Sequence, residues 1–214
     1  MIRPPSRHAG FTLIELMLVV LLMAVLAAFA FPAFQSFIAS TRLTAESNEL
    51  LSGLNLARSE AVRLQRRVVL CRAAANDGVV TFAAGSGCVT SDDGQPWQGW
   101  GVFVDQDTDG ALDADEAIVR VQAISGAALR ITSDASMAAA GNRVVFRPDG
   151  LARGPGTLAL QAGQIFVTDG TNESSLRCVT LASGSRMSVM KADVGRNPRQ
   201  CEVPVAPEPE EEGT

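Results

Sequence analysis

Twelve residues, Asp105 to Glu116, carry the densest chemistry in this chain. They read Asp-Gln-Asp-Thr-Asp-Gly-Ala-Leu-Asp-Ala-Asp-Glu, a D-x-D-x-D-G…E pattern with oxygen donors at alternate positions and a glycine for the sharp turn. Clustered carboxylates repel one another, and a hard divalent cation such as calcium relieves that repulsion. Asp105, Asp107, Asp109, Asp113 and Glu116 are therefore the candidate ligands of a calcium site. The flanks read as strands rather than helices, so an EF-hand proper is not expected. A solvated acidic hairpin loop is the alternative. Cys71, Cys88, Cys178 and Cys201 offer a second chemistry. Four cysteines allow three pairings, and proximity favours Cys71 with Cys88 and Cys178 with Cys201. Each such bond closes a loop worth about 3 kcal/mol in the chain-entropy model. Free buried thiols are the alternative, and no two cysteines are spaced as the paired ligands of a zinc knuckle.

The third notable group is a single acid, Glu15, near the start of an apolar run from Phe11 to Phe31. As a helix this run is about 30 Å long, enough to span a hydrocarbon core. A carboxylate at the centre of such a span costs roughly 2.5–3.5 kcal/mol, so an acid there asks for a use. Its place near one end softens the cost, and an interfacial Glu in an ordinary anchor is the plain reading. Conventional catalytic groups are scarce. The only histidine is His8, ahead of the apolar run, and there is no tyrosine. A histidine base, a Ser-His-Asp triad and an imidazole metal site are therefore not expected downstream of the run.

Met1 to Gly10 is a short hydrophilic leader with Arg3, Arg7 and His8, joined directly to Phe11-Thr12-Leu13-Ile14-Glu15. Together with Pro32, this resembles the prepilin leader of type IV pilins and type II secretion pseudopilins. The resemblance implies cleavage between Gly10 and Phe11 by a prepilin peptidase, N-methylation of Phe11, and an assembly role for Glu15. It also makes Pro32 the helix-breaking proline that pilins often carry. On this reading the Glu15 carboxylate sets axial register by meeting the Phe11 amine of a neighbouring subunit. A rival reading takes Leu16 to Ala27 as a signal-peptide core with cleavage after Ala28-Phe29-Ala30, which would release a soluble protein. Glu15, just ahead of that core, sits poorly in a positively charged leader.

The elements that must position these groups follow from periodicity. Phe34, Phe37, Ile38, Leu43, Leu50, Leu51, Leu54, Ala57, Ala61 and Leu64 recur largely at three- and four-residue steps among charged residues. That pattern predicts a helix with its apolar stripe laid on a globular domain, kinked or locally melted at Pro32. Beyond Arg66 the pattern changes to short strands at Val68–Cys71, Val79–Phe82, Gly101–Val104, Ile118–Val121, Val144–Phe146 and Val179–Leu181. Arg147-Pro148-Asp149-Gly150-Leu151 reads as a turn, proline presetting φ and glycine accepting a positive one. Trp97 and Trp100 read as packing residues flanking a turn. The expected class is α+β: a long N-terminal helix packed on an antiparallel, sandwich-like domain. The expected organisation is leader 1–10, filament-core or transmembrane helix 11–33, amphipathic half 34–65, β-rich domain 66–201 and a disordered acidic tail 202–214. The formal net charge of −5 argues against a general nucleic-acid footprint.

The helix, the strand bearing Cys71, the run Trp97-Gln98-Gly99-Trp100-Gly101-Val102-Phe103-Val104-Asp105, the acidic loop and Val145-Phe146-Arg147-Pro148-Asp149-Gly150 together resemble the GspH/FimT group of minor pilins and pseudopilins. The resemblance runs to Cys201. It implies a non-enzymatic minor type IV pilin, FimT/FimU-like, that helps to initiate or cap a pilus. The implied alternative is a GspH-like pseudopilin of a type II secretion system. The implied partners are other pilins, the prepilin peptidase and an inner-membrane assembly platform. The protein would sit as a single-pass inner-membrane subunit with a periplasmic domain, where oxidising conditions favour disulfides. Some FimT-type pilins bind DNA through a Gly-Arg-x-Arg motif near the C-terminus. Gly184-Ser185-Arg186 and Gly195-Arg196-Asn197-Pro198-Arg199 do not match it in register. Arg177, Arg186, Lys191, Arg196 and Arg199 nonetheless make the region locally basic, a footprint for salt-sensitive DNA contact with Arg186, Arg196 and Arg199 as the candidate residues.

Overall fold

Thr12 begins the first helix. Its Oγ1 accepts from the Glu15 N–H at 3.3 Å, and its carbonyl accepts from Leu16 N at 3.2 Å, the bonding of an N-cap. Helix α1 (Leu13–Leu64) then runs for 52 residues, assigned without a break at Pro32. It stops where Gln65 takes a left-handed φ of 54° and Arg66 N reaches back to Ala61 O at 3.3 Å, a Schellman-type ending. The computed structural model describes residues 11–76, 78–82, 85, 87–91, 94–124, 129–170, 172–192 and 201, with the side chains of 30–33 and 172–175 outside that set. Gly10, the Pro32 side chain, Arg196, Arg199, the leader 1–10 and the tail 202–214 thus lie outside the described residues.

The chain divides into two compact units, Met1–Thr41 and Arg42–Thr214. In the first, the described part is the start of α1. It is apolar and exposed from Phe11 through Phe29. Phe34 and Phe37 are exposed as well. The predicted packing stripe does not extend to them, because no second element of this unit is present among the described residues to receive it.

Among the described residues, the second unit holds the rest of α1, one short helix and ten strands. In chain order these are β1 (Arg67–Asn76), β2 (Val79–Thr81), β3 (Gly99–Asp105), β4 (Ile118–Ala123), β5 (Leu129–Ser133), α2 (Ala135–Ala139), β6 (Arg143–Phe146), β7 (Ala152–Arg153), β8 (Gly163–Asp169), β9 (Asn172–Leu181) and β10 (Met187–Lys191). One antiparallel sheet has the order β4-β3-β1-β6-β7, with β2 paired to β1; the other has the order β10-β9-β8-β5. Leu43, Leu50, Leu54, Ala57 and Ala61 of α1 share one core with the first sheet (Val68, Leu70, Trp100, Val102, Val144, Phe146) and the second (Ile131, Ile165, Val167, Val179, Leu181). A Cβ at Gly53 would stand 2.6 Å from Trp100 Cη2. The missing side chain is what lets the indole lie against α1.

Each sheet also carries a smaller apolar cluster on its other face. Val69, Cys71, Ala73, Phe103 and Val145 of the first sheet meet Phe82 and Leu112. Leu176 and Cys178 of the second meet Ala192 and Cys201. A disulfide staples each cluster: Cys71–Cys88, with Cα atoms 5.5 Å apart, and Cys178–Cys201, at 6.2 Å.

Several expectations need correction. Trp100 lies inside β3 rather than beside a turn, and Trp97 donates from Nε1 to Ser133 Oγ at 3.1 Å. Strands β5, β7, β8 and β10 are not among those the sequence predicts. β10, a methionine-bearing edge strand with no fully buried residue, forms on β9 through cross-strand pairing, a cue that local periodicity does not carry. Glu46, grouped with the charged residues between the apolar positions, is buried on the packing side of α1. The turn at Arg147–Leu151 has the expected chemistry. Gly150 takes φ 73°, Gly150 N donates to Arg147 O at 2.8 Å, and Leu151 N donates to Asp149 Oδ1 at 2.9 Å.

Candidate functional site

Of the residues expected to take part in processing and assembly, Phe11 and Glu15 lie at the start of α1. Phe11 is 82% exposed and Glu15 is exposed on the first helical turn. Among the described residues one helix is long and apolar enough to cross a membrane, and it is this one. Thr12 was not singled out in the sequence. The signal that finds it is Thr-x-x-Glu ahead of an apolar run, the spacing of a capping box.

The acidic loop between β3 and β4 turns some of its side chains inward and others out. Asp105, Gly110, Leu112 and Glu116 are buried, whereas Asp107, Asp109, Asp113 and Asp115 are exposed. Three short-range bonds shape it: Thr108 N to Asp105 Oδ1 at 2.8 Å, Asp109 N to Asp107 Oδ1 at 3.1 Å, and Ala111 N to Asp109 Oδ1 at 2.6 Å. Glu116 closes the base, accepting from Gln106 N at 2.5 Å and from Asp113 N at 3.2 Å. Carboxylate oxygens of Asp105, Asp107 and Asp109 come within 4.8 Å of one another. Asp113 and Glu116, the other predicted ligands, are not in that group.

Arginines hold the loop from behind. The β1–β3 register sets Arg67 opposite Asp105, and Arg67 Nη2 lies 3.1 Å from Asp105 Oδ2. Arg67 Nη1 also donates to Thr108 O, and Arg143 Nη1 donates to Gly110 O at 2.8 Å. Burial pushes the Asp105 carboxyl above its usual range, against the pull of Arg67 and the Thr108 and Gly110 amides. Burial likewise raises Glu116, against the Gln106 and Asp113 amides, and desolvation with Asp109, Asp107 and Asp115 raises Asp113. The residues fit a divalent cation only in part. Three donors converge, but Arg67 already faces Asp105, and both Glu116 oxygens accept from backbone.

Arg186 is exposed at the β9–β10 turn. Beside it, Arg58 of α1 donates to Ser185 O at 3.2 Å, and Ala152 N donates to Ser185 Oγ at 2.6 Å. These bonds tie the turn to α1 and β7.

An apolar N-terminal helix and two antiparallel sheets, each stapled by a disulfide, define a type IV pilin-like protein. The prokaryotic N-terminal methylation motif matches residues 5–31, and the type II transport protein GspH family matches residues 46–185. The chain belongs to the GspH family. It is 50% identical over 48 residues to the type IV major alpha-pilin of Moraxella bovis, covering 22% of this chain and 30% of that protein. It is 49% identical over 51 residues to the type IV major fimbrial protein FimA of Dichelobacter nodosus, covering 24% and 31%. The chain thus spans about 30% of the length of these curated relatives. The crystal structure of the type IV minor pilin FimU of Pseudomonas aeruginosa aligns over 78% of this chain and 99% of that one, at 17% identity and a TM-score of 0.49.

Proposed function

We propose that this chain is a minor type IV pilin, cut between Gly10 and Phe11 by a prepilin peptidase, that takes part in initiating or capping a pilus. The observation that carries the proposal is the exposed apolar start of α1, bearing one acid, Glu15, directly after a leader that matches the methylation motif. Before assembly such a surface is covered by lipid, with the globular domain on the periplasmic side. In a filament it is covered by the helices of other pilins, with which an inner-membrane platform would bring it together. The Phe11 amine released by processing and a neighbour's Glu15 then neutralise each other in an apolar setting, where a lone charge costs several kcal/mol. Glu15→Ala should therefore leave the protein in the membrane, cut and methylated, but absent from sheared filaments. A mature N-terminus near Phe31, or normal incorporation of Glu15→Ala, would overturn the proposal.

A second reading, a minor pseudopilin of a type II secretion system, is favoured by the family match over residues 46–185. Deleting the gene and scoring pilus-dependent motility beside exoprotein release separates the two. For the acidic loop, the ion pair between Arg67 and Asp105 supports a cofactor-free hairpin held by arginine, with calcium at Asp105, Asp107 and Asp109 as the competitor. Heat release or a raised Tm at millimolar calcium would establish the cation instead. Of the three arginines expected to contact DNA, Arg186 alone is among the described residues, and it is exposed. Salt-sensitive DNA retention lost on replacing Arg186, Arg196 and Arg199 is the test of that role.

A further inference from the structure

Arg42 opens the second unit, and residues 32–41 join it to the apolar run that ends at Phe31. That stretch spans about 15 Å as a helix and about 35 Å fully extended. The end of the domain at which α1 enters is therefore tethered within that reach of any bilayer the run crosses. Four cations gather at this end. Arg177 of β9 donates from Nη2 to Thr44 Oγ1 at 3.4 Å, two residues on from Arg42. Lys191 of β10 stands directly opposite Arg177 in the sheet. Arg130 of β5 lies opposite Thr168, and Thr168 lies opposite Leu176, the neighbour of Arg177. Arg42, Arg130 and Lys191 are exposed. Two acids of the same end, Glu46 and Asp169, are buried, and Glu49 pairs with Arg120. The acidic loop is at the far end, since Asp105 faces Arg67, the residue that starts β1 just after α1 stops. From there β1 runs back beside α1, with Trp100, opposite Arg72, lying against Gly53. Its hairpin with β2 brings Val79, 71% exposed, to the end that carries the cations.

We propose that this basic rim is a docking surface for the headgroups of anionic phospholipids, in the bilayer that the apolar run crosses. The proposal rests on the membrane-anchored reading above. A negatively charged bilayer surface attracts Arg and Lys within a Debye length, by roughly five-fold per cation. An apolar side chain among those cations finds the acyl boundary beneath the headgroups. Duplex DNA offers the same phosphate chemistry, but the tether and the exposed Val79 favour the bilayer. Docking holds the domain against the membrane while the subunit is stored, and is given up when the subunit leaves for a filament.

Lys191 is the only lysine in the chain, so its acylation reports on this rim. The full-length protein is placed in vesicles of phosphatidylcholine, or of phosphatidylcholine mixed with phosphatidylglycerol, and treated with a membrane-impermeant amine-reactive ester. Peptide masses separate Lys191 from the N-terminal amine. At low salt Lys191 should react at least roughly five-fold more slowly in the anionic vesicles, and high salt should abolish the difference. Arg42→Gln combined with Arg130→Gln, and separately Val79→Asp, should each shrink the ratio of rates between the two vesicle types, with each variant's neutral vesicles as its own reference. Equal rates in both vesicle types, in protein that floats with both on a density gradient, would overturn the docking surface and leave the membrane reading standing. A wild-type ratio in both variants would overturn it as well. Protection by added duplex DNA in neutral vesicles, without protection by anionic lipid, would assign the cations to nucleic acid instead. Protein that floats with neither vesicle would remove the membrane reading, and the docking surface with it.

Discussion

Glu46 occupies a core position of α1, and its Oε1 has no hydrogen-bond partner. Burial, with Glu49 adding to it, holds this carboxyl above its usual range. An acid whose folded-state pKa is raised contributes stability below its unfolded value and loses it as pH rises through the folded value. Glu46→Gln should therefore match wild type in acid and become the more stable protein as pH rises above about 4.5, the ordinary value for this group. Thermal melts of both proteins across that range measure the difference. A gap that widens toward acid would contradict the sign. Arg67 presents the opposite case, a cation with a buried acid to neutralise. Arg67→Ala leaves Asp105 facing Asp107 and Asp109 unaided, and should cost about 1–3 kcal/mol in urea titrations, the scale for an orphaned buried polar group.

At the scale of elements, α1 is joined to the first sheet by shape as well as charge. Trp100 lies against Gly53, and the Arg120 guanidinium stands 5.4 Å from the Trp100 ring centroid while pairing with Glu49 of α1. Gly53→Ala would improve helix propensity by roughly 0.5–1 kcal/mol. The new methyl, however, falls 2.6 Å from a fully buried ring, and overpacking of this kind costs about 1–3 kcal/mol. The clash should win. Denaturation monitored by tryptophan fluorescence should show a net loss near 1 kcal/mol. A stabilised Gly53→Ala would mean that Trp100 moves aside freely.

For the whole molecule, the two disulfides do the same work on different sheets. Each fixes a segment over the face turned away from the shared core, with sequence separations of 17 and 23. Replacing Cys71 and Cys88 by serine, or Cys178 and Cys201, should cost about 3 kcal/mol each. Because the clusters beneath them share no residue, the losses should add to within about 0.5 kcal/mol in the quadruple variant. Denaturant melts of the four proteins measure this. A large departure from additivity would show that the outer clusters are coupled through the common core.

What could be read from residue order was whatever contiguous residues decide. The apolar run from Phe11, the stripe from Leu43 to Ala61, the Pro148–Gly150 turn and most strands of the first sheet express backbone propensity and side-chain period, which act over a few residues. Of the second sheet only the end of β9 was read: β5 and β10 are set by pairing with β8 and β9, and the alternation of β8 was missed. The meeting of Arg67 with Asp105 depends on a strand register, and the burial of Glu46 depends on how the α1 face meets the sheets. Such contacts join residues far apart in the chain. Tertiary structure alone decided them, since no local periodicity records which distant charge, ring or strand will arrive opposite a given side chain.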